Sequence, residues 1–348
     1  MLRVLVCSAA AAALLLAISI GPDGPSAGAA DDKRATIGSI DRKNPKMDEL
    51  IPKDAQIEVL AAGYKWTEGA LWDKKGGFLL FSDIPNNRVV KWSAKGGTSD
   101  FLKPSGYTGS AKFTGPEPGS NGLAFDKTGT LFLCQHGDRR IAKLGADGKF
   151  ITVVDKYLGK RLNSPNDLVF AKNGDLYFTD PPYGLPGQMK DPAKELDFQG
   201  VYRLNAKGEL TLLTKEMSRP NGIGLSPDEK TLYVANSDPL LAIWKAFPIN
   251  ADGTLGAGKT IHDATTDVAA TAASKGLPDG LKVDQKGNIF ATAVNGIYVF
   301  APDFTFLGRI VTNDKTANCA WGDDGSVLYL CTNDKLTRVK TSTKGMGW

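Results

Sequence analysis

The 348-residue sequence has few side chains that bind soft metal ions: two histidines, His136 and His262, and four cysteines. Zinc sites in proteins are built mainly from Cys and His ligands. The shortage of both residue types argues against a zinc site of that composition. A metal site in this chain therefore has to use the oxygen atoms of Asp, Glu and Asn side chains, which calcium, and then magnesium or manganese, prefer.

The sequence also lacks a strong excess of charge of either sign. It has 42 Lys and Arg residues against 38 Asp and Glu residues, which gives a formal net charge of +4. No dense run of basic residues with interleaved aromatic residues occurs in it. Proteins that bind nucleic acids neutralise the backbone phosphates with many Lys and Arg side chains. The sequence therefore predicts no nucleic-acid partner.

Long hydrophobic runs are missing, apart from one at the N-terminus. Residues 4–20 are largely apolar, follow the single basic residue Arg3, and precede the small residues 27–29. This pattern is typical of a cleaved export signal, although the run is also about long enough for an uncleaved membrane anchor. We assign residues 1–30 to a signal peptide. This assignment predicts an exported protein, periplasmic or secreted, with no stable membrane span after cleavage.

Three cysteines remain after the predicted cleavage, and two of them lie in one predicted hairpin. Cys319 and Cys331 flank the turn 323–325, while Cys134 lies in another strand. An exported protein can form disulfides, so a Cys319–Cys331 bond is one interpretation. Two buried thiols are the other, because free cysteine is among the most buried residue types. The sequence leaves both open.

No long stretch with helical periodicity follows the signal segment. Instead, one unit recurs: a Glu, Asp or Asn residue, an apolar strand, a polar turn and a second apolar strand. The six units begin at Glu68, Asn121, Asn166, Asn221, Asp279 and Asn318. Their starts lie 39 to 58 residues apart, a period that with about four short strands per unit is typical of propeller blades. The sequence therefore predicts an all-β fold, a six-bladed β-propeller.

A propeller ring needs a device that joins its two ends. Residues 56–60 read as a strand without a hairpin partner of its own, and they precede the first complete unit. We predict that this N-terminal strand closes the ring by joining the last blade beside residues 336–339. Residues 31–52 are polar and contain Pro45 and Pro52, so they are predicted to form a flexible or surface-lying arm, and residues 53–348 a single propeller domain.

The first residue of each unit is predicted to lie at one end of the central channel. The second strand of a hairpin returns to the end where the first begins, so the residues that follow it share this rim. For any one unit, Asn-Gly and Asp-Gly are also ordinary turn dipeptides. Glu68 is a poor turn residue, however, and it recurs in register with Asn221 and Asp279. This recurrence favours a set of oxygen ligands for a hard divalent cation. The remaining rim residues are Asn121, Asn166, Asp167, His136, Asp180 and Asp238.

Several motifs in order resemble those of the SMP-30/gluconolactonase family of six-bladed propeller lactonases, over about residues 57 to 340. They are Thr67-Glu68-Gly69, the segment from Cys134 to Arg140, Ser164-Pro165-Asn166-Asp167, Phe178 to Gly184, Arg219-Pro220-Asn221-Gly222 and Leu277-Pro278-Asp279-Gly280. Each motif alone is weak, but the ordered set is fairly specific for the superfamily, which includes paraoxonase-like and strictosidine-synthase-like members. Since the chain has two histidines, and His262 falls in an outer segment, the histidine pair of paraoxonase-like enzymes is not expected.

The resemblance implies one divalent cation, most readily calcium, with magnesium, manganese or zinc as alternatives. Its protein ligands would be Glu68, Asn221 and Asp279, and Asn166 would bind either the cation or the substrate. Asp279 would also be the catalytic proton acceptor.

The same reading places four residues around the substrate. Asn121 and Asn166 would donate hydrogen bonds to it. His136 either contacts substrate, shuttles a proton or makes a structural hydrogen bond. Asp180 either contacts substrate or caps a loop.

The function implied by this resemblance is that of a divalent-metal-dependent hydrolase that opens a lactone ring, with a sugar lactone such as gluconolactone as substrate. A non-catalytic propeller that binds a partner is the first alternative, because fold alone does not establish function. An esterase or a strictosidine-synthase-like enzyme on the same scaffold is the second. The sequence leaves open which lactone or ester is used, and the oligomeric state.

Overall fold

The computed structural model describes residues 34–271 and 275–348. The predicted signal peptide over residues 1–30 lies outside the described residues. Within the described ranges, no helix is long and apolar enough to cross a membrane.

The N-terminal part of the described chain forms short elements that dock on the propeller. In chain order they are β1 (Thr36–Ile37), β2 (Ser39–Arg42), α1 (Met47–Leu50) and β3 (Ile57–Ala62). β1 pairs with β3, and β2 pairs with a strand of the fifth blade.

The first three blades are four-stranded antiparallel sheets, and in each the first strand is the innermost. Blade 1 comprises β4 (Thr67–Asp73), β5 (Phe78–Asp83), β6 (Arg88–Ser93) and β7 (Gly97–Leu102). Blade 2 comprises β8 (Ser120–Phe125), β9 (Leu131–Gln135), β10 (Arg140–Leu144) and β11 (Phe150–Val154). A ribbon of β12 (Lys156–Tyr157) and β13 (Lys160–Arg161) follows. Blade 3 comprises β14 (Leu168–Phe170), β15 (Leu176–Asp180), β16 (Gly200–Leu204) and β17 (Leu210–Thr214).

The last three blades repeat this order and complete the six-bladed ring seen in the described residues. Blade 4 comprises β18 (Pro220–Leu225), β19 (Thr231–Asp238), β20 (Leu241–Pro248) and β21 (Lys259–Asp263). Blade 5 comprises β22 (Leu281–Val283), β23 (Ile289–Ala293), β24 (Gly296–Phe300) and β25 (Phe306–Val311). Blade 6 comprises β26 (Thr316–Gly322), β27 (Val327–Thr332) and β28 (Lys335–Lys340). Helix α2 (Thr265–Ala270) and 3₁₀ turns at Ile84–Asn86 and Gln188–Lys190 lie in the connections.

The apolar cores lie between neighbouring blades. Phe132 and Cys134 of β9 pack in one cluster with Phe178 and Tyr202 of blade 3, and the rings of Phe178 and Tyr202 stack with centroids 5.1 Å apart. Since a middle strand is covered on both faces, its sequence is apolar without alternation, as in residues 131–134. This packing holds neighbouring blades together.

Hydroxyl groups at the ends of second strands join three blades to their successors. Ser82 Oγ donates to the carbonyl oxygen of Asn121 at 2.9 Å, and Thr179 Oγ1 donates to that of Asn221 at 2.7 Å. Thr292 Oγ1 donates to the carbonyl oxygen of Ala317 at 3.1 Å. These buried bonds fix the backbone where the next blade begins, which is where the candidate site residues stand.

The predicted closure of the ring is confirmed. β3 pairs antiparallel with β28 as the fourth strand of blade 6, and Ile57 lies opposite Val339. The last blade therefore contains strands from both ends of the domain.

The prediction of a flexible arm over residues 31–52 is wrong for the described part of that segment. Met47, Leu50 and Ile51 are buried in a core cluster with residues of blades 5 and 6. The Arg42 guanidinium holds the end of the segment by donating to the carbonyl oxygens of Ile51 and Pro52. The polar composition concealed this packing, because three apolar side chains suffice to anchor a short helical turn.

Cys319 and Cys331 are both free and buried. Cys331 pairs across the hairpin with Asn318, and Cys319 pairs with Leu330. Directly paired residues share a face of the sheet and their neighbours point to the other, so the two thiols lie on opposite faces of blade 6, in different core clusters. The disulfide interpretation is therefore wrong, and the two-thiol interpretation is confirmed.

Candidate active site at the mouth of the central channel

Five of the predicted site residues meet in one cavity. Glu68, Asn121, Asn166, Asn221 and Asp279 line a space of about 170 Å³ at the end of the channel where the innermost strands begin. They come from the first five blades, one from each. The other lining residues are Trp66, Glu117, Tyr183, Arg219, Ser237 and Leu277.

The glycines that follow several of these residues allow the blades to approach closely. A Cβ atom at Gly69 would lie 2.0 Å from the carbonyl oxygen of Asn121, and Gly69 has φ +54. A Cβ atom at Gly222 would lie 2.1 Å from the carbonyl oxygen of Asp279. Because only glycine avoids these clashes without strain, the Gly after the rim residue is needed to bring the ligand candidates together.

The carboxylates at the mouth are withdrawn from water. Glu68 is 2% exposed, and burial raises its pKa to about 8, with the negative charge of Asp167 adding to the rise. The N–H of Gly69 donates to Glu68 Oε2 at 3.0 Å, which opposes that rise. Burial also raises the pKa of Asp279 well above its usual range, and Glu68 and Asp167 reinforce the effect. A bound cation would offset this crowding of buried acids.

The residues present fit a hard divalent cation. Asp279 Oδ1 and Asn121 Oδ1 are buried without a hydrogen-bond partner in the described structure, and such atoms in a native protein call for a ligand or water. Across residues 34–271 and 275–348, no group of three Asp, Glu, His or Cys side chains is spaced to hold a metal ion. The candidate set is instead two carboxylates, Glu68 and Asp279, with the amide oxygens of Asn166 and Asn221.

Asp180 does not line the cavity. It is fully buried, and its carboxylate accepts hydrogen bonds from the backbone N–H groups of Asn163 and Ser164, both at 2.8 Å. Burial raises its pKa to about 7, although these two hydrogen bonds lower it in part. Asp180 thus anchors the loop that leads into Asn166. Asp238, from the predicted rim, also lies outside the lining and accepts a hydrogen bond from Ser218 Oγ.

His136 also lies behind the cavity wall rather than in it. Its ring is fully buried, and Nδ1 lies 2.9 Å from Oε2 of Glu117, a residue that does line the cavity. The two atoms are within ion-pair distance but lack the alignment of a hydrogen bond. Glu117 therefore lines the cavity, and His136 lies behind it.

Several lining residues were missed from the sequence. Trp66, Arg219 and Leu277 each stand two residues before a rim residue, so the repeat register could have identified them. Glu117 and Tyr183 come from the two longer connections between blades. The Tyr183 hydroxyl donates to the carbonyl oxygen of Ser237 at 3.4 Å. The path of such loops has no sequence periodicity that would have placed these two side chains.

A larger cavity of about 710 Å³ opens at the opposite end of the channel, where the innermost strands end. Its lining is dominated by aromatic and lysine side chains, among them Trp72, Phe125, Trp348, Lys74 and Lys127. Size does not identify the candidate active site here. The mouth has the convergent polar groups and buried acids that mark reactive sites.

The fold and the rim residues define a six-bladed propeller whose channel mouth carries carboxylate and amide side chains. The chain belongs to the SMP-30/gluconolactonase/LRE-like family, whose model matches residues 66–334. This match covers β4 to β27, so β3 and β28 of blade 6 lie outside it.

Two lactonases and one solved gluconolactonase structure resemble this chain over most of its length. A gluconolactonase of Zymomonas mobilis is 42% identical over 318 residues, which cover 89% of this chain and 88% of the relative. A pentonolactonase of Haloferax volcanii is 24% identical, covering 76% of this chain and 80% of the relative. The solved structure of a gluconolactonase from Xanthomonas campestris superposes with a TM-score of 0.75 at 30% identity, covering 88% of this chain and 96% of that chain.

Proposed function

We propose that this chain is a divalent-cation-dependent hydrolase that opens sugar lactones. The observation that carries the proposal is the convergence of Glu68, Asn166, Asn221 and Asp279 on one buried cavity, with Asp279 Oδ1 unpartnered. Its support among relatives is the 42% identity to a gluconolactonase over most of both chains. A propeller that only binds a partner has no need of two desolvated acids at one point.

Glu68, Asn221 and Asp279 would hold the cation, with Asn166 as a fourth ligand or a substrate contact. Carboxylate and amide oxygens favour calcium, then magnesium or manganese; zinc is the least suited to this set. When bound, such a cation supplies a Lewis acid that polarises a carbonyl oxygen and stabilises developing negative charge.

The chain's own residues would orient the lactone and exclude bulk water. The side chains of Asn121 and Asn166 reach the cavity, and their amide groups can donate hydrogen bonds to ring hydroxyls or to the carbonyl oxygen. A water molecule attacks the carbonyl carbon, and its proton passes to a carboxylate of the cavity. From the sequence, Asp279 is the candidate for that proton, although a carboxylate engaged with a cation is a weaker base.

The size of the cavity favours a small cyclic substrate. A space of about 170 Å³ suits a single sugar ring better than an extended or polymeric ester. Named relatives include a gluconolactonase and a pentonolactonase, so six-carbon and five-carbon aldonolactones are the first substrates to test.

Residues 1–30 are proposed to direct export to the periplasm or beyond. Mass spectrometry of the protein recovered from the periplasmic or extracellular fraction of a bacterial host tests this directly. The proposal predicts a mature N-terminus close to residue 31, and a chain that retains Met1–Ile20 would contradict it.

The proposed reaction can be tested with metal-stripped protein, to which calcium, magnesium, manganese or zinc is returned one at a time. Hydrolysis of glucono-1,5-lactone and of pentonolactones is followed by acid release, and calcium binding by calorimetry. Glu68→Gln and Asp279→Asn should lose both binding and turnover. The matched controls Glu216→Gln and Asp303→Asn, which change exposed carboxylates, should retain both. Metal binding without turnover of any lactone would refute the reaction, and absence of binding would refute the ligand assignment.

A further inference from the structure

One carboxylate of the cavity is left without a role. Among the described residues that line it, the acids are Glu68, Glu117 and Asp279, and two of these are assigned to the cation. Glu117 stands on the connection between blades 1 and 2, just before β8. Its side chain is 25% exposed, so its carboxylate lies at the boundary between the cavity and solvent.

Glu117 is backed by a buried imidazole. Oε2 of Glu117 lies 2.9 Å from Nδ1 of His136, whose side chain has no exposure. The imidazole lies in a closely packed part of the wall: it is fully buried, and a Cβ atom at Gly184 would lie 2.6 Å from His136 Cβ.

Both ring nitrogens of His136 lack a well-aligned hydrogen bond to any described residue. Buried polar atoms in this state are rare and need an explanation. The contact with Glu117 gives Nδ1 a hydrogen-bond partner if the two groups align during the reaction. Catalytic hydrogen bonds are often long or poorly aligned before substrate binds. A histidine that served only to hold the fold would be expected to have satisfied partners.

We propose that Glu117 is the proton-transfer residue of the site and that His136 is its positioning residue. This inference rests on the proposed lactone hydrolysis, and it assigns the proton to Glu117 in place of Asp279, which is left to the cation. No hydrogen bond in the described structure joins Glu117 to Asn166 or Asn221, while its negative charge adds to the rise in the pKa of Glu68 and Asp279.

The proposed step is balanced with water as the sole co-reactant. The water oxygen forms a bond to the lactone carbonyl carbon, and one water proton moves to the Glu117 carboxylate. The bond between that carbon and the ring oxygen then breaks, and the ring oxygen takes the proton back from Glu117. The products are a hydroxyl group and a carboxylic acid, which releases its proton to solvent, and Glu117 is again a carboxylate.

The decisive variant is Glu117→Gln, which keeps the size of the side chain and removes the proton acceptor. Because positioned acid–base groups contribute about 100-fold to 10,000-fold, kcat should fall at least about 100-fold while KM changes little. Calcium affinity should match that of the unaltered protein. The control Glu195→Gln changes a glutamate of the other long connection, where it accepts a hydrogen bond from the N–H of Arg161, and should leave kcat unchanged.

Variants of His136 test whether the imidazole positions Glu117 or only fills space in the core. His136→Asn keeps an N–H donor near the place of Nδ1, whereas His136→Ala removes it. The asparagine variant should recover a large part of the kcat that the alanine variant loses. The acidic limb of the pH profile of kcat/KM should be displaced in Glu117→Gln and in both His136 variants, and unchanged in Glu195→Gln. The charged or titratable groups that share the cavity with Glu117 are Glu68, Asp279, Tyr183 and Arg219, so the same profile is recorded for the control.

The scarcity of histidine allows a second readout that does not involve activity. With two histidines in the chain, nitrogen-15 NMR of labelled imidazoles gives two resolved sets of signals, and His262 serves as an internal reference. Glu117→Gln should shift the Nδ1 signal of His136 and leave that of His262 unchanged.

The outcomes distinguish this inference from the proposed function. If Glu68→Gln abolishes turnover and calcium binding while Glu117→Gln keeps full kcat, the lactonase proposal stands and the role of Glu117 is refuted. Loss of calcium affinity in Glu117→Gln would make it a cation ligand and would also refute the role. If His136→Asn and His136→Ala are equally impaired, positioning by the imidazole is refuted. A protein that hydrolyses no lactone would overturn both proposals together.

Discussion

The two ends of the central channel are built from the same innermost strands but carry opposite chemistry. At the mouth, where these strands begin, short oxygen-bearing side chains surround about 170 Å³ and include the buried Glu68 and the half-buried Asp279. At the far end, where they finish, aromatic rings and lysines surround about 710 Å³. We assign the reaction to the smaller end because its polar groups converge and most of them are buried.

The connections at the two ends also differ. The mouth is overlaid by the long connections that contribute Glu117 and Tyr183, whereas the far end is formed by tight hairpin turns such as that of residues 126–130 and by the C-terminal segment. Lys282 lines the wide cavity, with Nζ 3.5 Å from Asn318 Oδ1. Long loops over a rigid scaffold commonly carry specificity, so substrate selection is expected to vary at the mouth while the far end stays a structural closure.

The largest contrast should come from deleting charge at each end. Glu68→Gln removes a proposed cation ligand and should lower kcat/KM about 1,000-fold, within the range seen when groups that stabilise a transition state are lost. Lys127→Met, at the far end, should change kcat/KM by less than about twofold because surface substitutions away from the site have small effects. Steady-state kinetics of both variants tests the comparison, and equal losses would contradict it.

The two ends should also differ in how pH affects stability. Burial raises the pKa of Glu68 to about 8 from its ordinary 4.5, so the folded, cation-free protein retains a proton that the unfolded chain releases in this range. Between pH 4.5 and 8 the free energy of unfolding therefore falls as pH rises, by at most about 1.4 kcal/mol per pH unit for one proton. Glu68→Gln should make this decline shallower in urea titrations of metal-stripped protein.

Asp126 at the far end should change the free energy of unfolding with pH in the opposite direction from Glu68. Burial alone would raise its pKa, but hydrogen bonds from Thr128 and Thr130 outweigh that effect and lower it. Its contribution to stability is present above its ordinary pKa of 3.8 and is lost as pH falls below it. Asp126→Asn should thus leave the decline between pH 4.5 and 8 unchanged, and a change there would show that the slope does not arise at the mouth.

A smaller effect is expected from the hydroxyl bonds between blades. Thr179→Val keeps the shape of the side chain but removes the donor to the carbonyl oxygen of Asn221. Leaving a buried acceptor unsatisfied should lower the free energy of unfolding by about 1–3 kcal/mol. Because the backbone at Asn221 is then less firmly held, calcium affinity should fall about tenfold, which corresponds to about 1.4 kcal/mol. The exposed Thr211→Val is the matched control. Unchanged calcium affinity in Thr179→Val would mean that packing alone positions Asn221.

The repeat register explains how much could be predicted from the sequence. Six starting residues at similar spacing placed Glu68, Asn121, Asn166, Asn221 and Asp279 on one rim, because the hairpin geometry of a blade leaves little choice. The closing strand over residues 56–60 followed from the same rule.

The parts that were not predicted depend on interactions without a period. Glu117 and Tyr183 reach the cavity through loops, and Asp180 turned away from it because two backbone N–H groups compete for its oxygens. Cys319 and Cys331 lie on opposite faces of the sheet because the pairing of the two strands is offset by a single residue. The arm was misread because its apolar residues, Met47, Leu50 and Ile51, are few among many polar ones.

The smallest expected effect comes from the far end, at Trp348. The ammonium of Lys74 lies 4.0 Å from the centre of the Trp348 ring and donates to the carbonyl oxygen of Gly347. An exposed cation–π contact contributes about 0.5–1 kcal/mol, so Trp348→Ala should lower the midpoint of thermal unfolding by a few degrees at most. Since the ring lies at the opposite end from Glu68 and Asp279, kcat/KM and calcium affinity should remain at the values of the unaltered protein. A large loss of activity with intact stability would mean that the two ends are coupled through the channel. It would contradict the assignment of the reaction to the mouth alone.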